Sequence, residues 1–203
     1  MQKNVLITYT TNAGSTREVA EAIASELGKN SLVIDVRHMG EVQNLTPYGA
    51  VVIGGPMILG WHREAVKFVK KQQQALSQVP VAYFFTAMSL MRTRETHVNG
   101  VPIYIDSGLG RCPQKSDRRS FRERYATVEN YLGPVLKKAP QIRPVSAAFF
   151  AGKMDYRRLK LPQILFVKLI VGAPPGDRRN WDAIREWAGC LHSPFTRTNK
   201  RDR

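Results

Sequence analysis

The sequence predicts a three-layer α/β domain in which helices cover both faces of a parallel sheet. Short runs rich in β-branched and aromatic residues alternate with segments whose apolar residues recur at helical spacing. This alternation is typical of parallel strands joined by crossover helices. With 203 residues, of which 43% are hydrophobic, the chain can bury the core of one such domain. We expect a single domain over residues 1–195 and a polar, basic tail over 196–203.

The first half of the chain carries the clearest pattern. A helix is predicted over 16–27, where Val19, Ile23 and Leu27 share one face, and a second helix over 62–76. Between 39 and 48 there is room for only a short helix or a loop. Four short apolar runs are predicted as buried strands: 5–9, 32–36, 50–55 and 81–85.

The pattern changes after the fourth strand, where glycines and prolines interrupt it. Residues 89–120 are predicted to form a long basic insertion with some extended structure over 101–105. Beyond the insertion we expect a helix over 121–132, a fifth strand over 142–150 and a final helix over 181–191.

Positive charge is concentrated in the second half of the chain. Lys and Arg number 31 and Asp and Glu 16, and of the resulting net charge of +15, residues 92–203 hold +13. Such a field attracts anionic partners, whether phosphates, carboxylates or an anionic membrane surface. The alternative is a surface that serves only solubility.

Compartment and membrane contact are predicted from composition. Cys112 and Cys190 are too few for a disulfide-stapled protein and fit a reducing compartment. No secretory signal opens the chain, and no apolar run reaches the roughly 18 residues of a spanning helix. The apolar run 161–171 is either a core helix or a face that rests on a membrane. We expect a cytoplasmic protein, with peripheral contact to the inner face of the cell membrane left open.

Residues 10–16, between the first strand and the first helix, predict a phosphate site. Backbone N–H groups and the positive end of the helix dipole meet at such a joint, and small hydroxyl residues let the backbone close around an anion. The motifs of nucleoside triphosphatases and of dinucleotide-binding proteins are both absent. The alternative is an ordinary capped helix with Ser15 as its N-cap.

Two further loops predict a flat apolar ligand at the same edge. Residues 54–62 follow the third strand and are apolar, with glycines and aromatic residues, and residues 86–90 follow the fourth strand. In open parallel sheets, ligands bind at the carboxyl ends of the strands. One loop for a phosphate and two for a ring system together predict a site for flavin mononucleotide (FMN).

These loops resemble those of the flavodoxin family, except that Ala13-Gly14 stands where the family has a second Thr-Gly step. The resemblance implies a flavodoxin-like fold with a five-stranded parallel sheet in the order 2-1-3-4-5. It also implies FMN as cofactor, with the loop amides and hydroxyls on the phosphate and the later loops on the ring. The residues assigned to FMN in this way are Thr10, Thr11, Asn12, Ala13, Gly14, Ser15, Thr16, Pro56, Met57, Ile58, Leu59, Gly60, Trp61, Thr86, Ala87, Met88, Ser89 and Gly152.

More closely, the chain resembles the flavodoxin-fold, menaquinone-dependent protoporphyrinogen IX dehydrogenases and their uncharacterised relatives. This resemblance implies an FMN-dependent dehydrogenase acting on CH–CH or CH–NH donors in heme biosynthesis. Electrons would pass from an anionic, porphyrinogen-like substrate to a quinone. Arginines beside the flavin would bind the substrate carboxylates; the candidates are Arg92, Arg94, Arg157 and Arg158. The segments that carry the resemblance are 14–18, 68–71, 151–156, 166–170 and 176–188.

Two other functions compete with this interpretation. A flavodoxin-like electron carrier could use the basic face to dock an acidic protein. Nucleic-acid binding is disfavoured, because few aromatic residues stand among the basic ones. The sequence shows no convincing acid–base pair and no metal-ligand spacing, so no catalytic side chain and no metal site are predicted.

Overall fold

The domain is built on a central sheet with helices on both faces. The computed structural model describes residues 4–29, 32–58, 60–91, 93–111, 125–156 and 175–197. Its strands are β1 (Asn4–Tyr9), β2 (Val33–His38), β3 (Ala50–Met57), β4 (Val81–Ala87), β5 (Leu90–Met91), β6 (His97–Val98), β7 (Val101–Ile105), β8 (Gly110–Arg111), β9 (Ser146–Ala151), β10 (Lys153–Met154) and β11 (Gly176–Asp177). Its helices are α1 (Ser15–Gly28), α2 (Arg63–Lys71), α3 (Gln73–Leu76), α4 (Val128–Lys138), α5 (Trp181–Cys190) and α6 (His192–Thr196), with a 3₁₀ turn at Met39–Glu41.

The fold is flavodoxin-like, but the sheet is wider than the five strands predicted. The five expected parallel strands lie in the order β2-β1-β3-β4-β9. Two strands of the insertion then extend the edge: β7 pairs parallel with β9, and β6 pairs antiparallel with β7. Among the described residues the sheet therefore has seven strands. The insertion covers an edge of β9 that would otherwise present unpaired backbone groups.

Apolar side chains fill both sides of the sheet, which explains why the central strands β1, β3, β4 and β9 are rich in apolar residues. One core joins Leu6, Phe85 and Phe149 to α2 and α4, and the other joins Ile7 and Trp187 to α1 and α5. These layers place the loops after β1, β3, β4 and β9 together at the carboxyl edge of the sheet.

Several element boundaries differ from the prediction. Strands β3 and β4 run to Met57 and Ala87, so residues expected in loops extend the sheet. Strand β9 begins at Ser146 rather than at residue 142, after a proline at 144, which has no N–H to donate to the sheet. The helix predicted over 62–76 divides at Gln72 into α2 and α3.

The helix predicted over 121–132 is α4, which begins at Val128 because the Thr127 side chain accepts a hydrogen bond from the N–H of Asn130. Residues 121–124 and the apolar run 161–171 lie outside the described residues. None of the helices in the described ranges is long and apolar enough to cross a membrane.

Candidate functional site

The loop between β1 and α1 presents backbone donors to the carboxyl edge of the sheet. Gly14 precedes the helix with φ 86°, a left-handed conformation that a side chain would strain. Its N–H donates to Thr11 Oγ1 at 2.9 Å. Gly14, and not Ser15, is therefore the N-cap. The N–H groups of Ser15 and Thr16 have no acceptor among the described residues, as the first turn of a helix leaves them.

A pocket opens in front of this helix start, with a volume of about 190 Å³. Four loops contribute to it, which confirms the prediction that the strand ends converge. The predicted residues that line it are Asn12, Ala13, Ser15, Thr16, Pro56, Met57, Ile58, Thr86, Met88 and Gly152. Lys153, Met154 and Asp155 also line it and were not predicted. They follow the fifth strand at the same edge, so the rule that found the other loops could have found them.

Tight contacts at the pocket hold its walls together. Thr16 Oγ1 lies 3.3 Å from Thr86 Oγ1, joining the start of α1 to the end of β4. The N–H of Gly152 donates to the carbonyl of Ala87 at 2.9 Å. A Cβ at Gly152 would stand 3.4 Å from Met88 Sδ, so a larger side chain would fill this side of the pocket.

Trp61 does not line the pocket, although the sequence suggested that it would. Residues 57 and 61 pair in an antiparallel bridge, and this tight turn directs Trp61 back into the core. Its side chain is 6% exposed and its ring lies 4.9 Å from that of Phe85. The apolar character of this loop therefore comes partly from core packing.

Thr10 is also turned away from the pocket. Thr10 is fully buried, and its hydroxyl donates to Glu64 Oε2. The Oγ1 atom of Thr10 also lies 3.1 Å from His62 Nδ1. His62 caps α2 by accepting the N–H of Glu64. Burial lowers the pKa of His62. This cluster fixes the base of the phosphate loop to the loop after β3.

The remaining predicted residues lie beside the pocket or outside the described chain. Ala87 and Ser89 accept hydrogen bonds through their carbonyls, and Gly60 takes φ 130° in the turn after β3. Arg94 is exposed on the insertion and is not among the pocket residues. Four predicted residues lie outside the described residues: Leu59, Arg92, Arg157 and Arg158.

Residues 175–180, here called the return segment, run back past the pocket. Strands β10 and β11 pair antiparallel, with Lys153 opposite Asp177. Arg179, whose side chain is 2% exposed, donates to both carboxylate oxygens of Asp177 and to Glu18 Oε2 at 2.8 Å. It also reaches the carbonyl of Ser15 at 3.3 Å. The hydrogen bond from Arg179 lowers the pKa of the Asp177 carboxyl, and the charge of Lys153 acts in the same direction.

A buried carboxylate of the insertion meets the return segment at the end of β9. Asp106 is fully buried; its Oδ2 accepts the N–H of Ala151 at 3.2 Å and its Oδ1 accepts from Gly108 N and Asn180 Nδ2. Asn180 in turn caps α5. The insertion thereby positions the strand end that carries Gly152 into the pocket.

The pocket suits the flavin nucleotide that the sequence predicts. The unpaired N–H groups of Ser15 and Thr16, at the positive end of α1, are donors for a phosphate. Met57, Ile58 and Met88 offer apolar surface to a flat ring system. Within the described ranges, no cluster of His, Cys, Asp and Glu could hold a metal ion.

Comparisons with known proteins agree with this geometry. A profile of the flavodoxin domain matches residues 6–178. Proteins of Escherichia coli strains K12 and O157:H7, both named protoporphyrinogen IX dehydrogenase (quinone), are 26% identical over 187 residues, covering 90% of this chain and 87% of theirs.

Among solved structures, an archaeal flavodoxin superposes with a TM-score of 0.50 at 10% identity, covering 96% of this chain and 99% of its own. The Flv1 flavodiiron core of Synechocystis sp. PCC6803 gives 0.52 at 9% identity, covering 95% and 36%. These two structures share the fold. Because the domain profile spans most of the chain, the protein belongs to the flavodoxin domain family, whose implied cofactor is FMN.

Proposed function

We propose that the protein is an FMN-dependent oxidoreductase that takes electrons from an anionic, porphyrinogen-like substrate and passes them to a quinone. The observation that supports this most strongly is the likeness to the E. coli proteins, which extends over nearly the whole of both chains. A match confined to one loop would support only a common cofactor, whereas this one covers 90% of this chain and 87% of theirs.

In this proposal the chain binds and orients, and bound FMN supplies the redox chemistry. The N–H groups of Ser15 and Thr16 hold the phosphate end. Ile58 and Met88 present apolar surface to the ring and exclude water from it. No described side chain is assigned as an acid or a base.

Substrate recognition is proposed to depend on arginines near the flavin edge. A porphyrinogen carries propionate groups, and arginine binds carboxylates through two parallel hydrogen bonds. The candidates are Arg92, Arg94, Arg157 and Arg158. Of these, the described Arg94 is exposed, so its guanidinium is accessible to a substrate that arrives from solution.

A second candidate function is electron transfer to an acidic protein. The net charge of +15 favours it, because a strongly positive surface steers a negatively charged partner toward itself. In this alternative the protein still binds FMN but has no small-molecule substrate.

Anaerobic mixing of the FMN-loaded protein with protoporphyrinogen IX separates the two functions. The proposal predicts that the flavin absorbance bleaches and that a menaquinone analogue restores it. Arg94→Met should raise KM and leave FMN affinity unchanged, whereas Arg143→Met, at an exposed position before β9, should change neither. A flavin that stays oxidised in the presence of protoporphyrinogen would contradict the substrate and favour the electron carrier.

A further inference from the structure

Lys153 stands at the pocket on the short strand β10. It is partly buried and lines the same cavity as Ser15 and Thr16. Among the described residues, no other lysine or arginine lines that cavity. The ammonium group of Lys153 therefore brings a positive charge to a site whose phosphate loop, residues 10–16, contains none.

The position of Lys153 is fixed by the return segment. Its direct cross-strand partner is Asp177, and directly opposed residues hold their Cβ atoms about 5 Å apart. Asp177 is held by Arg179, and Arg179 contacts the carbonyl of Ser15 at 3.3 Å. Lys153 is thus tied, through two residues, to the first turn of α1.

The charges around the helix start are net negative without Lys153. Both oxygens of Asp177 accept hydrogen bonds from Arg179, and Glu18 pairs with the same guanidinium. Arg179, Asp177 and Glu18 together carry a net negative charge beside the phosphate loop, and Asp155 lines the same cavity, so a dianion there is disfavoured without a further cation. In the described part of the chain Lys153 makes no ion pair of its own, so its ammonium is available to an anion in the pocket.

We propose that Lys153 is a cofactor-specificity residue whose ammonium binds the phosphate of FMN, so that the pocket selects FMN over riboflavin. A compact cavity of about 190 Å³ and the flexible four-carbon stem of lysine put this charge within reach of the helix start. The proposal rests on FMN occupying the pocket, as the proposed function also does.

Flavin titrations of four proteins test this role: the unmodified chain, Lys153→Met, Lys153→Arg and Lys138→Met. The exposed Lys138 ends α4, away from the pocket. Dissociation constants for FMN and for riboflavin are measured by flavin fluorescence. Loss of one charge-assisted hydrogen bond predicts about tenfold weaker FMN binding by Lys153→Met, with riboflavin binding within about twofold. Lys153→Arg should retain most of the FMN affinity, and Lys138→Met should match the unmodified chain.

A second readout is ionic strength. FMN binding by the unmodified protein should weaken more steeply with salt than binding by Lys153→Met, because the variant lacks one charge at the phosphate. Equal losses for FMN and riboflavin, or no loss for either, would overturn the role of Lys153 while leaving the FMN site standing. An unmodified protein that binds neither flavin would overturn the cofactor assignment itself.

Discussion

Arg179 offers the sharpest test of how the return segment is held against the start of α1. Replacement by Met keeps an unbranched side chain of similar length and removes the guanidinium. The change deletes hydrogen bonds to Asp177 at 2.8 and 2.6 Å and to Glu18 at 2.8 Å, together with the contact to the carbonyl of Ser15. It also removes the guanidinium 4.4 Å from the ring of Trp181.

The expected loss in the free energy of unfolding follows from how deeply Arg179 and its partners are buried. The Arg179 side chain is 2% exposed, while those of Asp177 and Glu18 are 39% and 41% exposed. Hydrogen bonds to charged groups contribute about 1.5–3 kcal/mol each, but water can solvate the two carboxylates once the arginine is gone. We therefore expect the free energy of unfolding to fall by about 2 kcal/mol, or Tm by about 4–8 °C in a chain of this size.

The stability lost in Arg179→Met should be larger at neutral pH than in acid. The pKa of Asp177 is lowered from its ordinary value of 3.8 by Arg179, so the stability from this pair is complete above that value and is lost as pH falls through the lower folded-state pKa. Thermal unfolding of Arg179→Met and the unmodified protein should therefore differ at pH 7 and converge in acid. Arg185→Met is the matched control, because Arg185 is 47% exposed and pairs with Asp182, which is 94% exposed. A loss for Arg179→Met no larger than for Arg185→Met would show that the buried guanidinium does not stabilise the return segment.

Substitutions at three further positions test the packing around the site. Gly54→Ala places a Cβ 1.8 Å from Phe84 Cζ and should lower the free energy of unfolding by about 3 kcal/mol or more, seen as loss of soluble protein or of Tm. Trp61→Ala should cost about 3–5 kcal/mol in urea unfolding, while Trp61→Phe should leave FMN affinity within about twofold, because this ring lies in the core. Thr10→Val removes a buried hydroxyl that bonds Glu64, so urea unfolding should show a loss of about 1–2 kcal/mol.

The parallel sheet was predictable because its central strands β1, β3, β4 and β9 are rich in apolar residues and buried on both faces. The width of the sheet was not. Residues 101–105 are recognisably extended, but nothing in their own sequence says which edge they join. That pairing is accompanied by long-range contacts of Asp106, which is buried and accepts the N–H of Ala151 at the end of β9.

The pocket was predictable to the extent that strand ends converge, and ten of the predicted residues line it. Trp61 was misplaced because an aromatic residue in a glycine-containing loop can either cover a ligand or fold back onto the core. Only the bridge between residues 57 and 61 decides between these. The role of Arg179 was not predictable, because the pairing with Asp177 is local but the contacts with Glu18 and the carbonyl of Ser15 join segments far apart in the chain.

A flavin titration shows whether FMN binds at the carboxyl edge of the sheet, between the loops after β1 and β9. FMN is added to flavin-free protein and to Gly152→Leu, whose side chain would occupy the space beside Met88. We expect equimolar binding by the unmodified protein, seen as a shift of the flavin absorbance, and at least about tenfold weaker binding by the variant at unchanged Tm. Undiminished FMN binding by a folded Gly152→Leu, or no binding by the unmodified protein, would contradict this site for FMN.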